Sequence, residues 1–154
     1  MKTLPTSGKV GAAVKILGTK LTGATSVTFN GTAATFKVVS ASLITTTVPA
    51  GATTGTVKVV TPSGTLSSNV IFRVTPQITS FTPPSGPVGT VVTITGVSLA
   101  QTTKVTFGGV EAIAPTVNSD TQVTATVPTG AVTGKIAVTT PGGTATSATA
   151  FTVN

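Results

Sequence analysis

The chain has 154 residues, of which 39% are hydrophobic and only 7% are charged, and its formal net charge is +7. It contains no Cys, His, Trp or Tyr. This composition excludes a disulfide framework and thiolate or imidazole metal sites, and it leaves few side chains able to transfer protons in catalysis. The apolar residues suffice for a folded core, and the abundant Thr and Val are β-branched, which favours strands over helices. We therefore expect an all-β protein.

Short alternating segments follow one another along the chain. Apolar residues occupy every second position in segments 14–16 and 57–59, where a Lys takes the intervening place. The same period recurs at 92–95, 123–127 and 136–139, where Thr or Ala intervenes. Alternation of this kind directs one set of side chains to a core and the other to solvent. The pattern predicts short, half-buried strands.

Gly and Pro residues separate these segments and mark turns. Asn30 and Gly31 lie between two predicted strands, and Gly108 and Gly109 take the same place later in the chain. Both central residues of a type I′ turn need a positive φ, which Asn and Gly tolerate, so each pair predicts a hairpin. Residues 30–32 also form an N-glycosylation sequon, which the turn explains without a glycan.

The chain repeats itself once. Gly8 and Gly86 are 78 positions apart, whereas Pro49 and Pro128 are 79 apart. The second copy therefore has one inserted residue between Gly109 and Pro128. The matching segments are 7–11 with 85–89, 27–31 with 105–109, 47–51 with 126–130, 61–65 with 140–144, and 72–74 with 151–153.

A period of this length corresponds to a whole small domain, so the repeat predicts two modules, residues 1–75 and 76–154. Several short strands separated by turns point to a sandwich or a barrel. The most informative motif residues of copy two are Ile78, Phe81, Pro83, Gly86, Gly89, Val92, Ile94, Gly96, the run from Val105 to Ala112, Val127, Pro128, Phe151 and Val153. In combination they resemble the IPT/TIG domain, an immunoglobulin-like module of plexins and transcription factors.

The resemblance implies an all-β chain of two tandem immunoglobulin-like β-sandwiches of the E-set type. It also implies a setting, because such modules occur in tandem in bacterial extracellular proteins, some of them beside carbohydrate-active domains. Some transcription factors use the module for dimerisation or DNA contact. These are expectations for fold and function that the structure and the comparisons below address.

Copy one departs from the motif at its start. Residues 78–81 have no evident counterpart, because only three residues precede Leu4. We therefore expect the first strand of module one to be missing. Two explanations stay open: truncation, which we favour and which predicts a monomer, or an exposed edge that pairs with a strand of another chain. The residues of that edge are Leu4, Thr6, Lys9 and Val10.

Two carboxylates are present in the whole chain, Glu111 and Asp120, and both belong to copy two. Proton-transfer catalysis and metal binding need several suitable groups at one place, and a Ser nucleophile needs a base. We interpret both acids as surface turn residues. The sequence predicts no catalytic residue, no metal and no cofactor, and thus no enzyme.

Positive charge is concentrated in copy one, which holds seven of the nine Lys and Arg residues. Lys15, Lys37 and Lys58 are candidate contacts to an anionic partner such as nucleic acid, an anionic glycan or a membrane surface. The lysines are scattered singly along the chain, so we favour solvated faces. A single Arg argues against base readout in DNA. Phe36 aligns with Ala114 and is either a core residue, which we favour, or an exposed binding residue.

These observations predict a non-catalytic spacer or adhesion-type module of a larger secreted or cell-surface bacterial protein, with other domains of that protein as its first partners. The alternative is binding of a protein or polysaccharide ligand, and DNA contact ranks third. No apolar run approaches the roughly 20 residues of a membrane span, so we predict no membrane insertion. The first residues lack the apolar region of a signal peptide, so we expect any export signal to lie upstream.

Overall fold

The computed structural model describes residues 1–154 and contains strands and no helix, which confirms the all-β prediction. The chain divides into two compact units, Met1–Val74 (unit 1) and Thr75–Asn154 (unit 2). The strands of unit 1 are β1 (Lys2–Leu4), β2 (Ser7–Gly8), β3 (Ala13–Leu17), β4 (Ser26–Phe29), β5 (Thr32–Ala33), β6 (Phe36–Ser40), β7 (Leu43–Thr47), β8 (Val57–Thr61), β9 (Gly64–Ser67) and β10 (Arg73–Val74).

Two four-stranded antiparallel sheets form unit 1, in the strand orders β1-β3-β7-β6 and β5-β4-β8-β9, and β2 pairs in parallel with β10. Val14 and Ile16 of β3 are buried while Lys15 between them is exposed, as the alternation predicts. The inward residues of both sheets form one apolar core. That core consists of Val14, Ile16, Leu21, Val27, Phe29, Ile44, Val48, Ala52, Val57, Val59, Phe72 and Val74.

Unit 2 repeats this architecture. Its sheets have the orders β11-β13-β17-β16 and β12-β19-β18-β14-β15, and its twelve core residues form a separate cluster. The strands are β11 (Gln77–Thr82), β12 (Ser85–Gly86), β13 (Val91–Val97), β14 (Lys104–Phe107), β15 (Val110–Glu111), β16 (Thr116–Ser119), β17 (Gln122–Thr126), β18 (Gly134–Thr140) and β19 (Gly143–Val153).

The first strand of unit 1 corrects the expectation that it is missing. Strand β1 pairs with β3 and places Thr3 opposite Ile16, just as β11 pairs with β13 and places Phe81 opposite Ile94. Thr3 therefore occupies the position of Phe81, and the motif was unrecognisable because a Thr replaces its aromatic residue. The strand has three residues against six in β11, too few to show an alternating pattern in sequence. Backbone pairing with β3 defines it instead.

The inserted residue of unit 2 lies in the loop after β15. Ala33 and Glu111 occupy matching places before this loop, and Val38 and Val117 pair with matching residues after it. Phe36 therefore corresponds to Pro115 and not to Ala114, which corrects the sequence alignment. Phe36 is half-buried and packs against the core, as favoured.

Ser and Thr hydroxyls support the strands where the backbone ladder is interrupted. In each unit a Ser and a Thr accept hydrogen bonds from main-chain N–H groups 11 and 20 positions away in the sequence, and the partners fall at matching positions. Buried N–H groups need such partners, because an unpaired one is costly. The pairs are Val57 N with Ser68 Oγ at 3.1 Å, Ile136 N with Ser147 Oγ at 3.0 Å, Val74 N with Thr54 Oγ1 at 2.9 Å, and Val153 N with Thr133 Oγ1 at 2.9 Å.

Candidate functional site

The two carboxylates of the chain lie on different sheets of unit 2. Glu111 is in β15 and its Oε2 is 3.2 Å from Nζ of Lys104, with both side chains exposed. Asp120 lies in the turn between β16 and β17 and accepts a long hydrogen bond from Ala100 N at 3.4 Å. The acids are not brought together in one cleft, so their arrangement offers no acid and base pair. No group of three or more His, Cys, Asp or Glu residues in the structure could hold a metal ion.

Aromatic rings do not form an exposed platform on either unit. The rings of Phe29 and Phe72 meet edge to face with centroids 5.1 Å apart, inside the core of unit 1. In unit 2 Phe151 contacts both Phe107, at 5.4 Å, and Phe81, at 6.3 Å. These contacts show that the matching Phe residues of the two units are core residues. Their rings therefore offer no exposed surface on which sugar rings or bases could stack.

The sequon residues are engaged in packing between loops. Asn30 has φ 46° and Gly31 has φ 94°, the positive values that the predicted turn requires. Nδ2 of Asn30 donates to Thr53 Oγ1 at 2.8 Å and to Thr54 O at 3.3 Å. Oγ1 of Thr32 donates to Gly51 O at 3.2 Å. The side chains of the sequon therefore connect the hairpin to the loop before β8.

Of the residues proposed as an interaction edge in unit 1, only Leu4 belongs to a strand, whereas Thr6, Lys9 and Val10 lie in the segments on either side of β2. Leu4 belongs to β1, pairs with Lys15 and is 47% exposed. Thr6 accepts a hydrogen bond from Arg73 N at 2.9 Å, and Lys9 accepts one from Ala12 N at 3.0 Å. Val10 is half-buried against the core. These backbone partners leave no continuous open strand from Leu4 to Val10.

The candidate lysines fall on two opposite faces of unit 1. Lys15 of β3 and Lys37 of β6 both pair with Thr45 of β7, so one row of the sheet carries all three side chains outward. Leu4 extends this row on β1. Lys58 is exposed on β8, in the other sheet of the sandwich. The structure therefore brings Lys15 and Lys37 together and separates Lys58 from them.

A shallow groove of about 400 Å³ crosses the outer face that carries Lys15 and Lys37. We call this surface the basic face and define it by Lys2, Lys15, Lys37, Thr45 and Thr47. The sequence alone did not predict this face, because which residues share it depends on the register between strands that are distant in the chain. The groove is lined by Ala13, Thr35, Phe36, Lys37, Thr45, Thr46 and Thr47.

Sequence reasoning also missed several exposed apolar side chains. Val70 and Ile71 are about half exposed. They lie beside the first residues of unit 1, because Asn69 N on one side donates to Met1 O and Arg73 N on the other side donates to Thr6 O. Ile113 is 84% exposed in the loop that contains the inserted residue. The alternating apolar pattern is interrupted at these positions, and that interruption was the signal in the sequence that could have indicated their exposure.

Comparison with known proteins identifies the architecture. A family model of the IPT/TIG domain matches residues 2–74 and again 76–153. No curated protein matches the chain. The chain forms no helix that is long and apolar enough to cross a membrane.

One solved structure has a similar fold, and two others match the chain with lower TM-scores. A surface glycan-binding protein of Prevotella bryantii is 21% identical over 95% of this chain and 38% of its own, with a TM-score of 0.61. A protein from a xyloglucan utilization locus of Bacteroides uniformis is 24% identical over 94% of this chain and 46% of its own, at 0.45. The extracellular region of plexin A4 is 20% identical over 100% of this chain and 18% of its own, at 0.49. The chain thus spans less than half of each, and the first match, at 21% identity, supports the fold alone.

Proposed function

Because the chain belongs to the IPT/TIG domain family over both of its units, we propose that it is a non-catalytic structural and interaction segment of a larger secreted or cell-surface bacterial protein. We propose residues 1–75 and 76–154 as its two modules. The observation that carries the proposal is the duplication of a closed sandwich, each with its own core, without convergent reactive groups. Such modules set the distance and orientation of neighbouring domains and offer their loops and faces to partners.

The fold likeness to a bacterial surface protein supports the proposed setting. The Prevotella bryantii protein contains this pair of units as 38% of its length, beside other parts of its chain. We infer a similar arrangement here, in which other domains of the same polypeptide are the first partners. A dedicated partner contacts the segment through its exposed faces.

An antibody against the purified chain tests this proposal in the producing bacterium. We expect a band well above 15.0 kDa in the envelope or the culture medium, and its loss when intact cells are treated with a protease. A cytosolic protein is the matched control and must survive that treatment. A band of 15.0 kDa confined to the cytosol would contradict the proposal.

Ligand binding is the second candidate function, and one observation favours it. The basic face combines three exposed lysines with a groove of about 400 Å³ whose lining includes Lys37, Thr45 and Thr47. The threonine-rich outer face of unit 2 has no such cations. A ligand-binding role is therefore assigned to unit 1, whereas unit 2 suits a purely structural role.

A further inference from the structure

Unit 1 has no negative side chain to neutralise its cations. Residues 1–74 contain six Lys and one Arg and neither Asp nor Glu. In unit 2 two Lys are balanced by Glu111 and Asp120. The positive potential of unit 1 is therefore uncompensated within that unit, and it attracts anionic molecules to the faces where several cations lie together.

Three of these cations share the basic face. Lys15 and Lys37 flank Thr45 in one row, so their Cα atoms are two strand spacings apart, roughly 10 Å. Lys2 pairs with Leu17, two residues along β3 from Lys15 on the same face, which gives a diagonal Cα separation of roughly 7–8 Å. All three side chains are exposed. Lys15 and Lys37 thus lie in one row across the sheet, and Lys2 lies diagonally from Lys15 on β1.

The surface beside these lysines suits a polar, hydroxyl-bearing ligand. Thr45 and Thr47 of β7 point outward there, and Ala13 pairs with Thr47. Phe36 contributes a partly exposed apolar edge to the groove. Threonine hydroxyls donate and accept hydrogen bonds, as the hydroxyls of a carbohydrate do.

We propose that the basic face binds an acidic polysaccharide, whose carboxylate or sulfate groups pair with Lys2, Lys15 and Lys37 while its hydroxyls bond to Thr45 and Thr47. The inference rests on the proposed interaction role of the chain and specifies the ligand class and the face. Lysine suits this task as a flexible point charge that accepts anions from several directions. The charges on such a polymer are separated by neutral, hydroxyl-rich rings, which matches Lys15 and Lys37 with Thr45 between them.

The same features disfavour nucleic acid and membranes. A duplex carries one charge per roughly 1.7 Å and is met by dense clusters of Lys and Arg, whereas this face has isolated lysines. Single strands are held by stacking on exposed aromatic rings, and Phe36 is only partly exposed. An anionic lipid surface is typically met by clusters of basic residues joined to an apolar helix face or a lipid anchor.

Affinity electrophoresis of the full chain tests the proposal, with polygalacturonate in the gel as the acidic probe and dextran as the neutral one. We expect retardation by polygalacturonate alone, weakening as salt is raised above physiological ionic strength. The double variant K15Q/K37Q should bind roughly tenfold more weakly. The control variant K20Q/K58Q removes the same charge elsewhere on unit 1 and should stay within about twofold of the wild type.

A variant that should regain binding tests the spacing of the two lysines independently of the variants that lose binding. Thr93 and Thr116 of unit 2 both pair with Thr124, in the register that Lys15 and Lys37 share with Thr45. Adding T93K and T116K to K15Q/K37Q should restore most of the lost retardation. Far-UV circular dichroism and melting curves confirm that each variant is folded.

Three results would overturn the inference. The first is an equal loss of polygalacturonate binding in K15Q/K37Q and K20Q/K58Q, and the second is tighter binding to oligothymidylate or to phosphatidylglycerol vesicles than to polygalacturonate. The third is that polygalacturonate does not retard the wild type. The last would remove the ligand and leave the proposed surface role intact, because cell fractionation tests that role separately. A cytosolic location would remove the surface role, whatever the gels show.

Discussion

The outer faces of the two units share one strand register and differ in almost every side chain that they present. A row of four paired residues crosses each first sheet: Leu4, Lys15, Thr45 and Lys37 in unit 1, and Thr82, Thr93, Thr124 and Thr116 in unit 2. The inward residues of the same strands are apolar in both units, except for Thr3 and Thr46 of unit 1. Burial therefore restrains the inner face, whereas the outer face has diverged.

The cores themselves differ in their aromatic contacts. Phe151 contacts two rings in unit 2, whereas Phe72 contacts Phe29 and finds Thr3 where a second ring would be. Thr3 is 2% exposed and its Oγ1 has no hydrogen-bond partner. Each unit has one unsatisfied buried hydroxyl, but that of unit 1 lies on Thr3 in the first strand, whereas that of unit 2 lies on Ser98, after β13. With its smaller aromatic cluster, unit 1 therefore packs its first strand less well than unit 2 does.

The largest expected effect comes from removing the shared Phe of each core. Phe151→Ala should lower the free energy of unfolding of unit 2 by about 5 kcal/mol and Phe72→Ala that of unit 1 by about 3 kcal/mol, since Phe→Ala costs about 3–5 kcal/mol in cores. Urea unfolding followed by circular dichroism measures the loss, and hydrogen exchange assigns it to a unit. An equal or larger loss in Phe72→Ala would contradict the aromatic comparison.

A second contrast concerns matching glycines near the first strands. A Cβ at Gly96 would overlap the carbonyl oxygen of Gln77, whereas one at Gly18 would lie 3.4 Å from Leu21. We expect Gly96→Ala to cost about 1–3 kcal/mol through overpacking. Gly18→Ala should be neutral or stabilising by up to about 1 kcal/mol, because it restricts the unfolded chain. Urea midpoints of the two variants measure the contrast, and equal destabilisation would argue that the first strands are equivalent.

A third prediction addresses the unsatisfied hydroxyl of unit 1. Thr3→Val keeps the shape and removes the unpaired buried oxygen, so unit 1 should gain about 1 kcal/mol. Thr54→Val is the control, because it leaves Val74 N without its acceptor and should cost about 1–3 kcal/mol. Thermal unfolding of both variants decides the matter, and a loss in Thr3→Val would mean that the hydroxyl has a partner.

The smallest effect is expected at the ion pair of unit 2, which has no counterpart in unit 1. Lys104 and Glu111 are 45% and 59% exposed, so solvent screens their attraction. Glu111→Gln should change the free energy of unfolding by less than about 0.5 kcal/mol. Urea unfolding at low and high salt measures the change. A loss above about 1 kcal/mol would show that the pair contributes more than its exposure implies.

The fold could be predicted from the sequence because its signals are local and occur twice. Asn30 and Gly31 specify their hairpin through backbone conformation alone, and alternating segments such as 14–16 orient their own strands. The repeat then supported each assignment with a second copy. The IPT/TIG resemblance, read from the same residues, is confirmed by the family match.

The rest depends on pairing between distant segments. Thr3 becomes a core residue only because it pairs with Ile16, and residues 2–4 show no alternating pattern that would predict a strand. Lys15 and Lys37 are 22 positions apart in the sequence and become neighbours in one row only through Thr45. The sequence named both lysines as candidates, but it grouped them with Lys58, which the sandwich places on the opposite face.

The common register of the two units has a consequence for how such a gene can change. Copies that match position for position can recombine out of step, which adds or deletes one module at a time. A crossover at the Asn30 turn and its counterpart at Gly108 would join β1 to β4 of one copy to the strands that follow β14 in the other. Apolar residues would still meet apolar residues in that hybrid, since Phe29 and Phe107 hold the same buried place. Array length can therefore vary in descendants while every member of the array remains a folded sandwich.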